Sequence, residues 1–554
     1  MTPGLAGFIA SGDTDGGAPP DWDDVVAAAV AALGQAFTVM PDRTAPTAAE
    51  RRTWFDTFDW RLYKAGLQLE YVPGRRGSEL RLTCDPGPEV LAQPVTGWQP
   101  SRPHLVGDIP PGAIADRVGK LIVPRALLPV ATVTESAVVH RLLNSDAKTV
   151  ARLVIERPVL SAGGQHRPGG RSGPVGRGST IAPRFTIQPV RGYVGQARRA
   201  AGILEETAGI TPARGTLLED ALAAMGRKPA DYSSKVDAPI TAAMPASQAV
   251  ARILLTLLDT MEANVPGVLK DIDTEFLHDF RVAVRRTRAA LKLFGDTLGA
   301  ATLTARAAAE FKWLGDLTTP TRDLDVHLLG FDDTAAGLHA AKPDDLEPFR
   351  SFLRERRARE FRVLARGLRS PRFRDLTRQW RELLTPISEK GGRRRGGSTR
   401  SREISAATLA AGRTRRAFTK VAKRGGAITQ DSPHESLHDL RKRSKELRYA
   451  LEFFAPLHDP ATYSAIVGDL KKLQDVLGEF QDGEVQISEI RSLASAMQAA
   501  GEAPAVTLLA MGEVTAGLAG TQAVARAGFE RRFAAFAGID GQRRMSVLLR
   551  GGTG

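Results

Sequence analysis

Residues 277–294 read LHDFRVAVRRTRAALKLF, and residues 437–454 read LHDLRKRSKELRYALEFF. Eight of the 18 aligned positions are identical, the mark of an internal duplication. Neither copy holds Pro or Gly, so the pattern predicts one helix of about five turns in each. On the first helix His278, Arg281, Arg285, Arg288 and Lys292 fall on one face. The second repeats that face with His438, Arg441, Lys445 and Arg448, then interrupts it with Glu452. Like charges at this spacing disfavour a helix by roughly 0.2–0.5 kcal/mol per pair, so an aligned polyanion would offset the repulsion. Apolar residues border the stripe on both sides: Leu277, Phe280, Val284 and Leu291 on one, Val282, Ala289 and Leu293 on the other. Packing on both borders would turn the cations into a cleft about 21 Å long, the reach of several phosphates. The downstream segments FKWLGDLTTPTRDLDV (311–326) and LKKLQDVLGEFQDGEV (470–485) also align, sharing Lys312/Lys471, Asp316/Asp475 and Asp323/Asp482. Copies about 160 residues apart are too long for a solenoid and suit a duplicated helical bundle with a pseudo-twofold axis.

With 554 residues, 42% of them hydrophobic, the chain has material for two or three domains. A net charge of +14 points to an acidic polymer as partner without saying which. Aromatics make up only 6%, a poor supply of stacking platforms for single-stranded nucleic acid. Cys84 is the single cysteine, which excludes an intrachain disulfide and a Cys-rich zinc site. The N-terminus lacks a basic leader, and the apolar run Val25–Leu33 falls well short of the roughly 20 residues a spanning helix needs. The expectation is a cytoplasmic protein with no membrane partner.

Residues 1–20, rich in Gly, Ala, Asp and Pro, are expected to be disordered, and Asp21–Phe37 to form a helix starting at Asp21. Around Trp54 a turn segment is expected. Strand-like runs follow at Leu67–Val72 and Ser78–Cys84, joined by the hairpin signal Pro73-Gly74-Arg75-Arg76-Gly77. Further strands are expected at Thr134–Leu143, Thr149–Glu156 and Arg184–Val190, with Gly163–Gly178 as a flexible tip. Gly195–Met225 is expected to be helical. Gly391–Arg402 reads as a basic linker between the repeats, and Glu513–Phe536 as the final helix.

The paired LHD-x-R helices, the WLG…RDLDV segment and KKLQDVLGEFQD, in that order, resemble the CHAD family, the conserved-histidine α-helical domain. The resemblance covers about 245–545, with half-bundles at about 245–385 and 404–545. It implies two four-helix bundles around a basic cavity that binds inorganic polyphosphate. Carried over by position, the phosphate-facing set is His278, Arg281, Arg285, Arg288, His438, Arg441, Lys445 and Arg448. Lys292 shares their face, and Lys471 and Lys472 are lesser candidates. Upstream, WFDTFDWRLYKAGLQL, LLPVATVTE with RLL…TVARLVIE, and the terminal YSSK resemble the CYTH, or triphosphate-tunnel, family over about 35–240, after a separate segment 1–34. In that family a Lys/Arg tunnel holds triphosphate and inward glutamates bind a divalent metal.

The expected fold is therefore α+β: an N-terminal antiparallel β-barrel, CYTH-like but degenerate, followed by an all-α duplicated four-helix-bundle domain. The family's Glu-x-Glu-x-Lys strand is absent, and RFTIQPV offers Gln188 and Pro189 where a metal-binding glutamate is usual. Divalent cations need several carboxylate oxygens, so the tunnel reads as inactive and no cofactor is expected, a divalent metal entering only if the tunnel is active. Arg61, Arg81, Arg141 and Arg152 are the possible tunnel contacts for anions. Three functions compete: polyphosphate binding, with association to polyphosphate granules; a metal-dependent triphosphatase; and nucleic-acid binding. Gly112–Lys120 fails the phosphate-loop pattern at Ile114 and Leu121. A literal HExxH at His434–His438 lacks an evident third ligand and is not kept by the duplication, Thr274 standing opposite His434.

Overall fold

The structure, a computed structural model, describes residues 5–10, 21–44, 49–74, 77–84, 90–161, 181–390 and 403–551. The chain divides into two compact units, Met1–Ser233 and Ser234–Gly554. Arg75 and Arg76 of the hairpin signal, the tip at 163–178 and the basic segment 391–402 lie outside the described residues.

In the first unit the elements run β1 (Leu5–Ala10), α1 (Trp22–Gly34), β2 (Thr38–Pro41), β3 (Glu50–Thr57), α2 (Arg61–Lys64), β4 (Leu67–Val72), β5 (Ser78–Cys84), β6 (Val90–Val95), α3 (Ala113–Ile122), β7 (Leu127–Leu143), β8 (Thr149–Leu160), β9 (Arg184–Pro189), α4 (Val194–Glu205), β10 (Ile210–Pro212) and α5 (Leu217–Ala224). All strand pairs are antiparallel, in the order β10-β1-β9-β8-β7-β3-β4-β5-β6, with β2 added on the far half of β7.

The expected closed barrel is instead an open sheet among the described residues. Both end strands carry a proline, Pro94 in β6 and Pro212 in β10. Proline has no N–H to donate, so it suits an edge and opposes closure. A second correction concerns residues 5–10, expected to be disordered. They form β1 between β9 and β10 and bury Phe8 and Ala10. A short apolar run is enough for a strand when two neighbours supply its ladder. The segment around Trp54, expected as a turn, is the strand β3, with Trp54 and Phe55 buried. The helix expected over 195–225 is split by β10.

The second unit is helical: α6 (Ala246–Leu269), α7 (Thr274–Phe294), α8 (Ala301–Leu329), α9 (Phe331–Ala336), α10 (Glu347–Arg369), α11 (Pro371–Lys390), α12 (Ala406–Gly425), α13 (His434–Phe453), α14 (Pro460–Ala499), α15 (Ala505–Ala537) and α16 (Ile539–Gly551). Helix α16 follows the segment that was expected to close the chain. The duplication is visible in the backbone. Ala246 donates its N–H to the Ile404 carbonyl (3.0 Å), and the equivalent Ala406 donates to the Met244 carbonyl (2.7 Å). Pro245 and Ser405, also equivalent, form an antiparallel bridge between these bonds. Reciprocal pairing of equivalent positions is what a twofold axis produces.

Asp273 caps α7 by accepting from the N–H groups of Glu275 (3.0 Å) and Phe276 (3.2 Å). Phe276, Phe280 and Phe294 then anchor its buried side, each contributing on the order of 1.5–3 kcal/mol. No described helix is long and apolar enough to cross a membrane.

Candidate anion-binding cleft

Packing of α7 fixes where its cations point. Leu277, Phe280, Val284 and Leu291 are buried, whereas Val282, Ala289 and Leu293 are half-buried. One border of the stripe is sealed and the other only partly covered. Arg281 is half-buried, donating to Thr319 Oγ1 (2.5 Å) and lying 3.7 Å from Asp323. Its counterpart Arg441 pairs with Asp482 (2.8 Å), the residue that aligns with Asp323. Burial lowers the Arg281 guanidinium's proton affinity against the pull of Asp323, and Arg285, Arg322 and Arg288 lower it further.

Arg285 and Lys445 occupy equivalent positions. Neither has a hydrogen bond or ion pair among the described residues. Burial, then Arg441 and Arg285, with a smaller push from Arg448, hold the Lys445 ammonium down at about 8 against the opposing pull of Asp482. A cation of one repeat thus acts on its twin in the other, and α7 and α13 are joined by the Arg286–Glu452 bridge (3.0 Å). Arg288 is also without an ion pair. Its guanidinium lies 2.8 Å from where a Cβ on Gly315 would stand, so the glycine of α8 lets it approach. In the second repeat Gln474 takes that place and accepts from Arg448 (3.2 Å).

The remaining stripe residues are already committed. Lys292 pairs with Glu446, and Arg286 with Glu452 (3.0 Å). These two bridges exchange under the pseudo-twofold: the first repeat supplies both cations and the second both anions. Glu452, which breaks the second stripe in sequence, also accepts from Arg448 (2.6 Å). His278 is half-buried, and His438 Nδ1 is engaged by the Gln481 side chain. Lys471 and Lys472 are exposed on α14 and line neither cleft described next; Lys472 pairs with Asp469 (3.3 Å). Sequence reasoning missed Arg322, Lys312 as a lining residue, and the close approach at Gly315; the Lys312/Lys471 alignment was the available signal for the second.

Two clefts carry part of this set, and Arg281 and Arg285 line neither. One of about 510 Å³ lies between α7 and α8 and is lined by Arg288, Lys292 and Lys312. The other, about 540 Å³, lies between α13 and α14; α13 lines it with Arg441, Lys445 and Arg448, and α14 with Gln474, Asp475, Glu479 and Asp482. His434, the first residue of the HExxH string, sits 3.6 Å from Glu484 and edge-on to Phe480, while His438 turns to Gln481.

Three of the four predicted tunnel arginines of the sheet unit have other occupations. Arg61 donates to the carbonyls of Ile122 (2.9 Å) and Val123 (2.7 Å) and pairs with Asp59 (3.1 Å). Arg81 pairs with Glu79 (2.5 Å) and Glu50 (3.5 Å), and Arg152 with Asp42 (3.4 Å). Arg141 is half-buried, and its Nε has no partner. The carboxylates expected to be missing are present elsewhere. Strand register puts Glu50, Glu70, Glu135 and Glu156 on one face with Arg52, Arg81 and Arg184. Arg52 bridges Glu135 (3.0 Å) and Glu50 (3.1 Å), Trp54 donates to Glu70 (3.0 Å), and Arg184 pairs with Asp220 (2.7 Å). Burial pushes the carboxyls of Glu70, Glu135 and Glu156 up. Among the described residues no group of three or more His, Cys, Asp or Glu is arranged to hold a metal.

None of the curated proteins matches the chain. Among solved structures it is similar to the CHAD domain from the plant Ricinus communis, at 25% identity over 56% of this chain and 96% of that one, with a TM-score of 0.46. It is also similar to PptA from Streptomyces chartreusis, at 15% identity over 52% of this chain and 99% of that one, with a TM-score of 0.40. The family model described as the CHAD domain matches residues 252–491, from α6 into α14, wholly within the helical unit. The duplicated helices α7 and α13, with the cations they carry, belong to a CHAD domain at residues 252–491.

Proposed function

We propose that the helical unit binds inorganic polyphosphate where the cations of α7 and α13 face each other. Arg285, Arg288 and Lys445 make the primary contacts. Arg281, Arg441 and Arg448 are secondary contacts, which exchange part of their carboxylate pairing for phosphate. The observation that carries this reading is the pair Arg285/Lys445: equivalent cations on helices bridged by Arg286–Glu452 (3.0 Å), with no ion-paired carboxylate of their own among the described residues. Bringing two cations together is unfavourable without an anion between them, and a phosphate chain supplies a row of such anions. The CHAD resemblance implies the same ligand, and by this reading the protein associates with polyphosphate granules. The sheet unit, whose sequence resembles the CYTH family, adds no phosphate contact in this reading because Arg52, Arg81, Arg152 and Arg184 face carboxylates and Arg61 is held by backbone carbonyls and Asp59.

The test is a titration of the full chain with polyphosphates of graded length, with duplex DNA as competitor at equal phosphate concentration. Affinity should grow with chain length and fall steeply with salt through counterion release, and DNA should fail to displace the polymer. Displacement by DNA would assign the cleft to nucleic acid. Phosphate release from tripolyphosphate with Mg or Mn would instead favour a triphosphatase.

A further inference from the structure

Helix α10 carries a second cationic stripe. Arg359, Arg362, Arg366 and Arg369 are spaced three, four and three residues apart, so they share one face over about 15 Å. All four are exposed, and none has an ion pair among the described residues; Arg362 reaches only the Ala358 carbonyl of its own helix (3.3 Å). Some other arginines of α10 and α11 are paired, though Arg354, Arg356 and Arg374 have no ion pair among the described residues. Arg350 pairs with Asp332 (2.5 Å), Arg357 with Asp271 (2.6 Å) and Asp325 (2.7 Å), and Arg381 with Asp259 and Glu262 (both 2.6 Å).

The fold does not call for this stripe. The opposite side of α10 holds the helix in place through Phe349, Phe352, Leu353, Leu364 and Leu368, all buried. The sister helix α15 provides an internal control. Aligning Phe349, Leu364 and Leu368 with its buried Ala510, Ala525 and Phe529 puts Gly520, Ala523, Ala527 and Glu530 at the four outward positions, all exposed and none basic. An ordinary solvated face mixes signs, as around Arg378 of α11, which pairs with Asp375 and Glu382, whereas on this face of α10 the exposed acid Glu355 precedes the four arginines and none stands among them. Four aligned guanidinium groups match a linear array of phosphates, whose oxygens they take bidentately.

We propose that the outer face of α10 is a second docking surface for an extended inorganic polyphosphate, separate from the cations of α7 and α13. No aromatic side chain accompanies the four arginines on this face, which favours a polymer without bases over a nucleic acid. The inference rests on the function proposed above.

Its test uses the full chain, with Arg362→Glu plus Arg366→Glu introduced alone and beside Arg285→Glu plus Lys445→Glu. The probes are long-chain polyphosphate, tripolyphosphate and duplex DNA, with circular dichroism to verify the helices. Reversal on α10 alone should weaken long-chain binding about tenfold, as two phosphate contacts are lost, and leave tripolyphosphate binding within about twofold. In the cleft-reversed chain, the residual long-chain binding should vanish when α10 is also reversed. Arg362→Gln plus Arg366→Gln should act in the same direction with a smaller effect. Unchanged long-chain affinity overturns the proposal. So does equal loss for tripolyphosphate, or an α10-dependent complex with DNA but not with polyphosphate. Tripolyphosphate binding that survives reversal in the cleft would overturn the primary site instead, leaving the long-chain comparison to judge α10.

Discussion

The sheet unit and the helical unit both gather arginines on one face, but they neutralise them differently. On the sheet, Arg52 lies against Glu135 and Glu50, Arg81 against Glu79 and Glu50, and Arg184 against Asp220. On the helices, Arg285, Arg288 and Lys445 have no ion-pair partner among the described residues, and Lys445 is depressed by its cationic neighbours as well as by burial. Matched charges hold a fold together, whereas cations without a paired carboxylate are open to a ligand of the other sign. The contrast separates arginines that serve structure from those that serve binding, which the number of arginines alone does not.

The largest effect should come from adding repulsion to the surplus side. Arg285→Glu plus Lys445→Glu should lower polyphosphate affinity about a thousandfold at low salt, with an unchanged helical circular dichroism spectrum. Affinity within about threefold of the native chain would erase the contrast. A smaller effect, of another kind, is expected on the matched side. Arg52→Ala strands Glu135, whose side chain is 6% exposed, and should destabilise the sheet unit. The expected loss is about 2–3 kcal/mol, below that for a wholly buried pair because Arg52 is itself part-exposed. Calorimetry would register the loss while polyphosphate titration stays unchanged; weakened binding would mean that the matched arginines contact ligand too.

Helix α7 was legible because its period and its repeat agree, and α13 inherited that reading, whereas the Asp273 cap came only from the structure. The stripe was legible as a face, but its partners were not. That Lys292 is taken by Glu446 and Glu452 by Arg286 follows from pairing across the pseudo-twofold axis, and helical periodicity carries no information about a facing helix. The Gly315 approach was hidden for the same reason. In the sheet unit, the strands Leu67–Val72 and Ser78–Cys84 were readable from their alternation and their turn, and α1 from its Asp21 cap. Strand β1 was not, because six residues of modest apolarity become a strand only through partners about 180 residues away. Barrel closure was misjudged because a family resemblance outweighed the prolines of the edge strands. The face shared by Glu50, Glu70, Glu135 and Glu156 depends on register across four strands, which no local motif encodes.

The measurement closest to the central claim is an NMR titration of the Lys445 ammonium in the full chain. With the cleft empty it should lose its proton near pH 8, held down by burial and by Arg441, Arg285 and Arg448 against Asp482. Arg285→Gln should raise that midpoint, and saturation with polyphosphate should raise it further, because a phosphate favours the charged form. Polyphosphate affinity should correspondingly fall as pH rises through 8, by up to about tenfold per unit. An ordinary lysine midpoint in the empty native chain, unmoved by Arg285→Gln and by polyphosphate, would contradict the account.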